Sequence, residues 1–195
     1  MLNLCIEHNP RAGFTLIEVL VGLAILSIML ALGMPSLANY MGNARIRASA
    51  SSLHAAAQLA RTEAIRRNAV VELILTDDAP TLVNTANLST TGQNWIVRLW
   101  DPGAATFRLL QGKSALEGGS TSVVVTGTTS RLTFNGMGRS AGGVATFVFT
   151  STSGVCADVH GVGPMRCLDV RVSAAGQARL CDALITTAGD SRACT

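Results

Sequence analysis

Residues 14–32 read FTLIEVLVGLAILSIMLAL, and Glu18 is the sole ionisable side chain among them. At about 1.5 Å of rise per residue, a helix over this stretch is close to the length that crosses a hydrocarbon core of about 30 Å. The sequence therefore predicts a membrane-spanning helix. A carboxylate inside such a helix costs roughly a few kcal/mol, so Glu18 needs either a partner charge or a solvated position near the headgroups.

The residues in front of the apolar run indicate a source for that partner charge. A short polar leader ends with RAG at residues 11–13, directly before FTLIEVL at residues 14–20. Cleavage between Gly13 and Phe14 would create a new amino group close to Glu18. In an assembled filament, this amino group on one subunit can pair with Glu18 of its neighbour, and the pair offsets both charges in an apolar core.

Residues 11–20 resemble the amino terminus of the type IV pilin and type II secretion pseudopilin superfamily. The resemblance implies that a prepilin peptidase in the membrane cuts after Gly13 and N-methylates Phe14, while Glu18 guides subunit assembly. It also implies that the partners are this peptidase, other minor and major pilins, and the bacterial inner membrane. A secretory signal peptide cleaved near Ala38 is the alternative.

Composition and length set the domain organisation. The chain has 195 residues, of which 48% are hydrophobic and 14% charged, with a net charge of +3. We expect a cleaved leader at residues 1–13, a long helix at 14–67 whose part 14–34 is transmembrane, and a β-rich head at 68–195. Since the peptidase works at the cytoplasmic face, the resemblance places the head in the periplasm and later in a pilus fibre or tip at the cell surface.

The helix is predicted to change character after its apolar part. Gly33 and Pro35 predict a kink or local unwinding, because proline removes a backbone hydrogen bond. Beyond them, a three- and four-residue spacing predicts one buried face and one opposite face, with Asn68 as the stop. The buried face is predicted to hold Ile46, Ala50, Leu53, Ala57, Ala60 and Ala64, and the opposite face Arg45, Ser49, Ser52, Ala56 and Glu63.

Short apolar segments between turn residues predict strands in the rest of the chain, which gives an α+β fold with antiparallel sheets. The predicted strands are residues 69–75, 95–101, 106–111, 122–126, 131–135, 144–150, 167–173 and 177–182. This order resembles the GspH/FimT group of minor pilins and pseudopilins, most clearly at residues 59–68 (LARTEAIRRN) and 132–138 (LTFNGMG). The resemblance implies a head of two antiparallel sheets packed on the helix.

The cysteines predict disulfides in a tail that begins at about residue 156. Of the five cysteines, Cys5 lies in the leader. The others are Cys156, Cys167, Cys181 and Cys194. An even number in an exported segment is typical of two disulfides, for which three pairings are open. We favour Cys156–Cys167 with Cys181–Cys194, because each closes a short local loop.

Neither catalysis nor a cofactor is indicated by the motifs. The sequence has no GxSxG elbow, Walker loop or Rossmann glycine pattern. A zinc site from Cys156, His160, Cys167 and Cys181 is an alternative use of the cysteines, but no CxxC pair is present and the spacing fits no common finger. We interpret His54 as a surface or boundary residue of the helix. The chain is therefore expected not to be an enzyme and to bind no metal.

One stretch of the tail raises the question of DNA binding. Residues 176–179 read GQAR and resemble the Gly-Arg-x-Arg motif of DNA-binding minor pilins of the FimT subgroup, which act in natural transformation. Gln177 stands in place of the first arginine, so Arg179 and Arg171 remain the candidates for contacts to phosphate. The alternative is that Arg179 is a solvent-facing strand residue beside a disulfide.

A second basic cluster needs no ligand. Arg61, Arg66 and Arg67 lie near the predicted end of the helix, where positive charge is favourable with the helix dipole. The sequence and the resemblance together predict a minor pilin of a type IV pilus that initiates or primes assembly. Binding of DNA at the tip for uptake is a second hypothesis. The alternative is a type II secretion pseudopilin of the GspH type.

Overall fold

The computed structural model describes residues 13–115, 121–157, 160, 162–187 and 189–194. The chain divides into two structural units between Ala38 and Asn39. One long helix, α1 (Leu16–Arg67), contributes residues to both units, and all strands among the described residues belong to the second. The predicted leader, apart from Gly13, lies outside the described residues.

The first unit consists of the apolar part of α1. Its large side chains are exposed, for example Leu16 at 79% and Ile28 at 61%. The most apolar stretch of α1 has a mean hydropathy of 2.5, and by length and composition the helix can cross a membrane. The backbone stays helical through Gly33 and Pro35, so the predicted unwinding there is wrong. Loss of one hydrogen bond to proline does not end a helix that continues on both sides. The predicted kink stays a prediction.

The second unit holds the rest of α1 and two antiparallel sheets, each of four strands. The strands are β1 (Val71–Thr76), β2 (Asn94–Asp101), β3 (Thr106–Lys113), β4 (Val123–Gly127), β5 (Arg131–Phe134), β6 (Ala145–Ser151), β7 (Leu168–Val172) and β8 (Ala178–Cys181). The first sheet has the order β3-β2-β1-β5 and the second the order β4-β6-β7-β8. The predicted α+β class and its antiparallel sheets are confirmed, with strand ends shifted by one or two residues.

The end of α1 is set by Asn68. Its φ of 47° is left-handed, a conformation that asparagine tolerates better than most residues. The Asn68 amide donates to the carbonyl of Ile65 at 3.2 Å, and the Ala69 amide donates to the carbonyl of Ala64 at 3.1 Å. These two bonds form a Schellman motif and satisfy carbonyls that the end of the helix would leave unpaired. The predicted stop at Asn68 is confirmed.

The core lies where α1 meets both sheets. All residues predicted for the buried face of α1 are at most 1% exposed. Ala56, predicted for the opposite face, is also buried, and that prediction is wrong. Ala56 follows Leu53 by three positions and precedes Ala60 by four, so the helical period places it on the buried stripe. Phe134, Phe147 and Phe149 supply the large side chains of this core.

A long connection between β1 and β2 covers part of the first sheet. Ala86 from this connection forms a small separate core with Ile74 and Ile96. The carbonyl of Val83 accepts a hydrogen bond of 2.7 Å from Nη1 of Arg98. The predicted loop is therefore packed over the sheet, and the face of the sheet that turns away from α1 is partly buried as well.

Candidate functional site

The amino terminus of α1 begins with a cap that the sequence analysis did not identify. Thr15 precedes the first helical residue, and its Oγ1 accepts a hydrogen bond of 3.3 Å from the Glu18 amide. A threonine followed three residues later by glutamate is the capping-box pattern. A carboxylate in the first turn also interacts favourably with the helix dipole. Glu18 is therefore stabilised locally, and its side chain is still exposed.

The predicted cleavage point lies in an exposed, non-helical segment. Gly13 and Phe14 come before the helix, both are exposed, and the Phe14 side chain is 84% exposed. No atom of the described residues lies within 4 Å of the position a Cβ on Gly13 would take. An exposed peptide outside regular secondary structure is the form in which a protease can bind its substrate. The geometry thus leaves the bond between Gly13 and Phe14 accessible in this unit.

The tail contains the two disulfides favoured from the sequence. Cys156 is bonded to Cys167, and Cys181 is bonded to Cys194. Asp169 lies close to the second disulfide, and its carboxylate and the two sulfurs lie within 4.8 Å of one another. A disulfide sulfur is not the thiolate that zinc binds, so the cysteines are committed to cross-links. The zinc alternative loses three of its four ligands in this way.

The tail also brings together the arginines predicted for DNA. Arg171 on β7 lies directly opposite Arg179 on β8, so both side chains project from the same face of the second sheet. Nη2 of Arg179 donates to the carbonyl of Ser191 at 3.3 Å, and Nη1 of Arg171 donates to the carbonyl of Cys194. These acceptors from the tail offset part of the repulsion between the two guanidinium groups.

Gln177 occupies the turn just before β8. Its backbone amide donates to Oγ of Ser173 at 3.2 Å, and its side chain is exposed. Gln177 thus precedes Arg179 by two residues, outside the strand. The assignment of Gln177, Arg179 and Arg171 to DNA contacts stays a prediction.

A buried carboxylate lies beneath this row. Asp169 is 7% exposed, and Nη2 of Arg171 lies 3.8 Å from its Oδ2. Burial raises the pKa of Asp169, Arg171 opposes the shift, and the nearby carboxylate of Asp182 adds to it. No signal in the sequence distinguished Asp169, because its burial results from the tail that folds across β7 and β8.

The basic cluster at the end of α1 is paired rather than free. Arg66 and Arg67 both form ion pairs with Glu63, at 2.8 and 2.6 Å. Hydrogen bonds from the two arginines lower the pKa of Glu63 to about 2. Nε of Arg61 donates to the carbonyl of Gly138 at 3.1 Å.

His54 was predicted to be a surface or boundary residue of the helix. It lies half-buried at the boundary, with Nε2 3.2 Å from the carbonyl of Ala178.

Comparison of the sequence with protein families decides the identity of this fold. Residues 49–176 match the family described as type II transport protein GspH, and residues 8–34 match the prokaryotic N-terminal methylation motif. The chain belongs to the GspH family. As a GspH-family protein with this motif, it falls in the class of minor pilins and pseudopilins. The motif match includes Gly13, Phe14 and Glu18.

Two solved structures are among those to which this GspH-family chain is similar. The type IV minor pilin FimU of Pseudomonas aeruginosa strain PAO1 shares 16% identity with a TM-score of 0.48, over 69% of this chain and 87% of that one. The minor pseudopilin EpsH of the type 2 secretion system of Vibrio cholerae shares 11% identity with a TM-score of 0.48, over 71% and 97%. No curated protein is significantly similar in sequence.

Proposed function

We propose that this GspH-family chain is a minor pilin of a type IV pilus that initiates or primes assembly of the fibre. The observation that carries the proposal is the exposed apolar part of α1, which has a carboxylate, Glu18, in its first turn. Such a surface needs a hydrophobic environment, which the inner membrane supplies before assembly and other subunits supply after it. The chain has no catalytic role in this proposal and no cofactor.

The proposed assembly step depends on cleavage by a prepilin peptidase. Removal of the residues up to Gly13 leaves the amino group of Phe14 at the start of the chain. In the fibre, this amino group would pair with Glu18 of an adjacent subunit, so that neither charge is buried without a partner. The head would lie in the periplasm before assembly and at the surface of the fibre afterwards.

The alternative, a pseudopilin of a type II secretion system, uses the same helix chemistry. The disulfide-bonded tail suits both alternatives, because disulfides persist in the periplasm as well as outside the cell. To test this, the gene is deleted in the bacterium that carries it, and both surface pili and secreted enzymes are measured. We expect fewer pili with normal secretion, and restoration of pili by the wild-type gene. Normal piliation with lost secretion would contradict the proposal.

A second candidate function is DNA binding at the fibre tip, in support of DNA uptake. The opposed pair of Arg171 and Arg179 on one exposed face favours it, because two neighbouring guanidinium groups can each neutralise a phosphate. Gln177, exposed in the adjacent turn, would contribute a neutral hydrogen bond.

Salt dependence tests this second function. Binding of the full-length chain in detergent to duplex DNA is measured over a series of salt concentrations. Arg179→Gln should reduce the slope of log affinity against log salt by about 0.9, the value for one phosphate contact. Arg108→Gln, an exposed arginine of β3 in the other sheet, serves as the matched control and should leave the slope unchanged. Wild-type binding that does not weaken with salt would rule out contacts to phosphate.

A further inference from the structure

A groove runs along one face of α1, between the helix and strands β7 and β8 of the second sheet. It consists of two adjoining cavities of about 350 and 240 Å³, which share Arg47, Arg166 and Leu168 in their walls. Arg192 from the tail lines the smaller cavity. All of these residues belong to the second unit. Three arginines from distant parts of the sequence therefore meet at one groove.

Two of these arginines are held in place by carboxylates. Nε of Arg166 lies 2.5 Å from Oδ2 of Asp182, and the backbone amide of Arg166 donates to Oδ1 of Asn43 at 2.6 Å. The Arg192 side chain donates two hydrogen bonds to Asp190, at 2.8 and 3.1 Å. These contacts fix the direction of both guanidinium groups before any ligand binds, which lowers the entropy cost of binding.

Arg47 differs from the other two arginines. It is exposed, and it has no hydrogen bond or ion pair to any residue that the structure describes. Since Asp182 and Asp190 offset Arg166 and Arg192, Arg47 leaves the groove with an excess positive charge. A carboxylate bound between Arg47 and Arg166 would offset that charge through charge-assisted hydrogen bonds.

The floor of the groove is apolar. Leu168, Leu180 and Ile185 line it beside the arginines, so the groove offers a surface for hydrocarbon next to a surface for an anion. A polypeptide segment with an acidic and an aliphatic side chain matches both surfaces. A nucleic-acid backbone matches only the charge.

We propose that this groove is the docking site for an acidic segment of a neighbouring subunit in the filament. One carboxylate of that segment binds between Arg47 and Arg166, and an adjacent apolar side chain packs on Leu180 and Ile185. The inference rests on the proposed function, since it requires the chain to be incorporated into a filament. The site is separate from the helix pairing through Glu18 and from the outward face that carries Arg171 and Arg179.

The test places a photo-reactive amino acid in the groove. Ser51 is exposed and lines the smaller cavity, so a benzophenone side chain there reaches the occupant. The full-length chain is expressed in the bacterium that carries its gene, the cells are irradiated, and the purified filament fraction is analysed by mass spectrometry. We expect one adduct with another filament subunit, with the cross-link in an acidic segment.

Charge variants connect the adduct to Arg47. Arg47→Glu should reduce the adduct about tenfold, and Arg47→Gln should have a smaller effect in the same direction. Arg108→Glu, the same charge reversal on an exposed arginine of β3, should leave it unchanged. A second change, from the cross-linked acidic residue of the partner to lysine, should restore the adduct with Arg47→Glu.

Each contrary result has a distinct meaning. Wild-type chain in the filament without an adduct, an adduct with phospholipid, or an adduct that is equally strong with Arg47→Glu would overturn the docking site alone. Absence of the wild-type chain from the filament would overturn the proposed function, and with it the occupant of the groove.

Discussion

Arg98 and Glu72 lie opposite each other on β2 and β1, and Nη2 of Arg98 is 2.7 Å from Oε2 of Glu72. Both residues are buried, at 4% and 6% exposure. Arg98 also lies over the ring of Phe107, 3.9 Å from its centroid. Arg131, at 3.7 Å and half-exposed, supplies a weaker second charge to Glu72. This pair and its contacts tie the first sheet to the connection between β1 and β2.

Removing one member of the pair should destabilise the head strongly. Arg98→Met leaves the buried Glu72 carboxylate with only the weaker ion pair to half-exposed Arg131, and we expect the free energy of unfolding to fall by about 3–5 kcal/mol. The double variant Glu72→Leu with Arg98→Met removes both charges and should recover most of that loss. Both tryptophans of the chain lie in β2, so their fluorescence follows unfolding of the head. A single variant that costs as little as the double variant would contradict the coupling.

The turn between β7 and β8 should accept no side chain at Gly176. Its φ is +78°, and a Cβ there would lie 1.9 Å from the carbonyl oxygen of Gly138. Gly176→Ala is therefore expected to cost about 2 kcal/mol or more in the free energy of unfolding. Gly142→Ala is the matched control, because a Cβ there meets nothing within 4 Å. Its expected effect is within about 1 kcal/mol of zero, on the stabilising side. Equal effects of the two substitutions in tryptophan-monitored unfolding would refute this view of the turn.

Asp169 should contribute less to the stability of the head as the pH rises. Burial raises its pKa above the ordinary value of 3.8, so the native carboxyl binds its proton at a higher pH than the unfolded one. The contribution of Asp169 to the free energy of unfolding therefore falls as the pH rises from 3.8 through the native pKa. Asp169→Asn should stabilise the head at pH 7, and the gain should disappear in acid.

Asp190 provides a control, because its effect on the free energy of unfolding at pH 7 has the opposite sign. Hydrogen bonds from Arg192 lower its pKa to about 2, so its contribution is present above the unfolded value and is lost as the pH falls through about 2. Asp190→Asn should therefore lower stability at pH 7, by a small amount because its partner Arg192 is largely exposed to solvent. Thermal unfolding of Asp169→Asn and Asp190→Asn over a range of pH tests both predictions. A change in stability of the same sign for the two variants at pH 7 would be inconsistent with the burial of Asp169.

The two disulfides should contribute similar amounts to stability. They join cysteines 11 and 13 residues apart, and loop-entropy estimates for closures of this size give about 3 kcal/mol each. Replacing Cys181 and Cys194 together by serine should lower the free energy of unfolding by about that amount, as should replacing Cys156 and Cys167. Denaturant titrations of the two double variants, compared with the wild type, give both values. A negligible loss of stability in either double variant would show that its disulfide does not reduce the entropy of the unfolded chain.

Local patterns were sufficient to predict most elements of the fold. The strands lie between turn glycines and asparagines, and Asn68 ends α1 where the sequence predicts it. The exception in the helix is Ala56. Alanine is compatible with both faces, and only its spacing of three from Leu53 and four to Ala60 indicates the buried one. The unwinding predicted at Pro35 was based on the one backbone hydrogen bond that proline removes. The neighbouring residues keep the helix intact on both sides of it.

Long-range relationships were not accessible from the sequence. β4 joins the second sheet, while β5, which follows it directly, pairs with β1 in the first. No local pattern encodes that exchange. The buried pair of Glu72 and Arg98 depends on the register of β1 against β2 across a long connection. The meeting of Arg47 with Arg166 and Arg192 depends on the path of the tail. The resemblance identified Arg179 as a candidate, but only the sheet supplied its neighbours.

The most direct test of the central proposal is the amount of Glu18→Ala chain in the filament fraction. The variant is produced at wild-type level in cells that lack the native gene, and both membranes and sheared filaments are probed for the chain. We expect Glu18→Ala and Glu18→Gln to be present in the membrane and absent from the filaments. Glu63→Gln, at the other end of α1, should be incorporated normally. Incorporation of Glu18→Ala at the wild-type level would contradict assembly through a charge pair at Glu18.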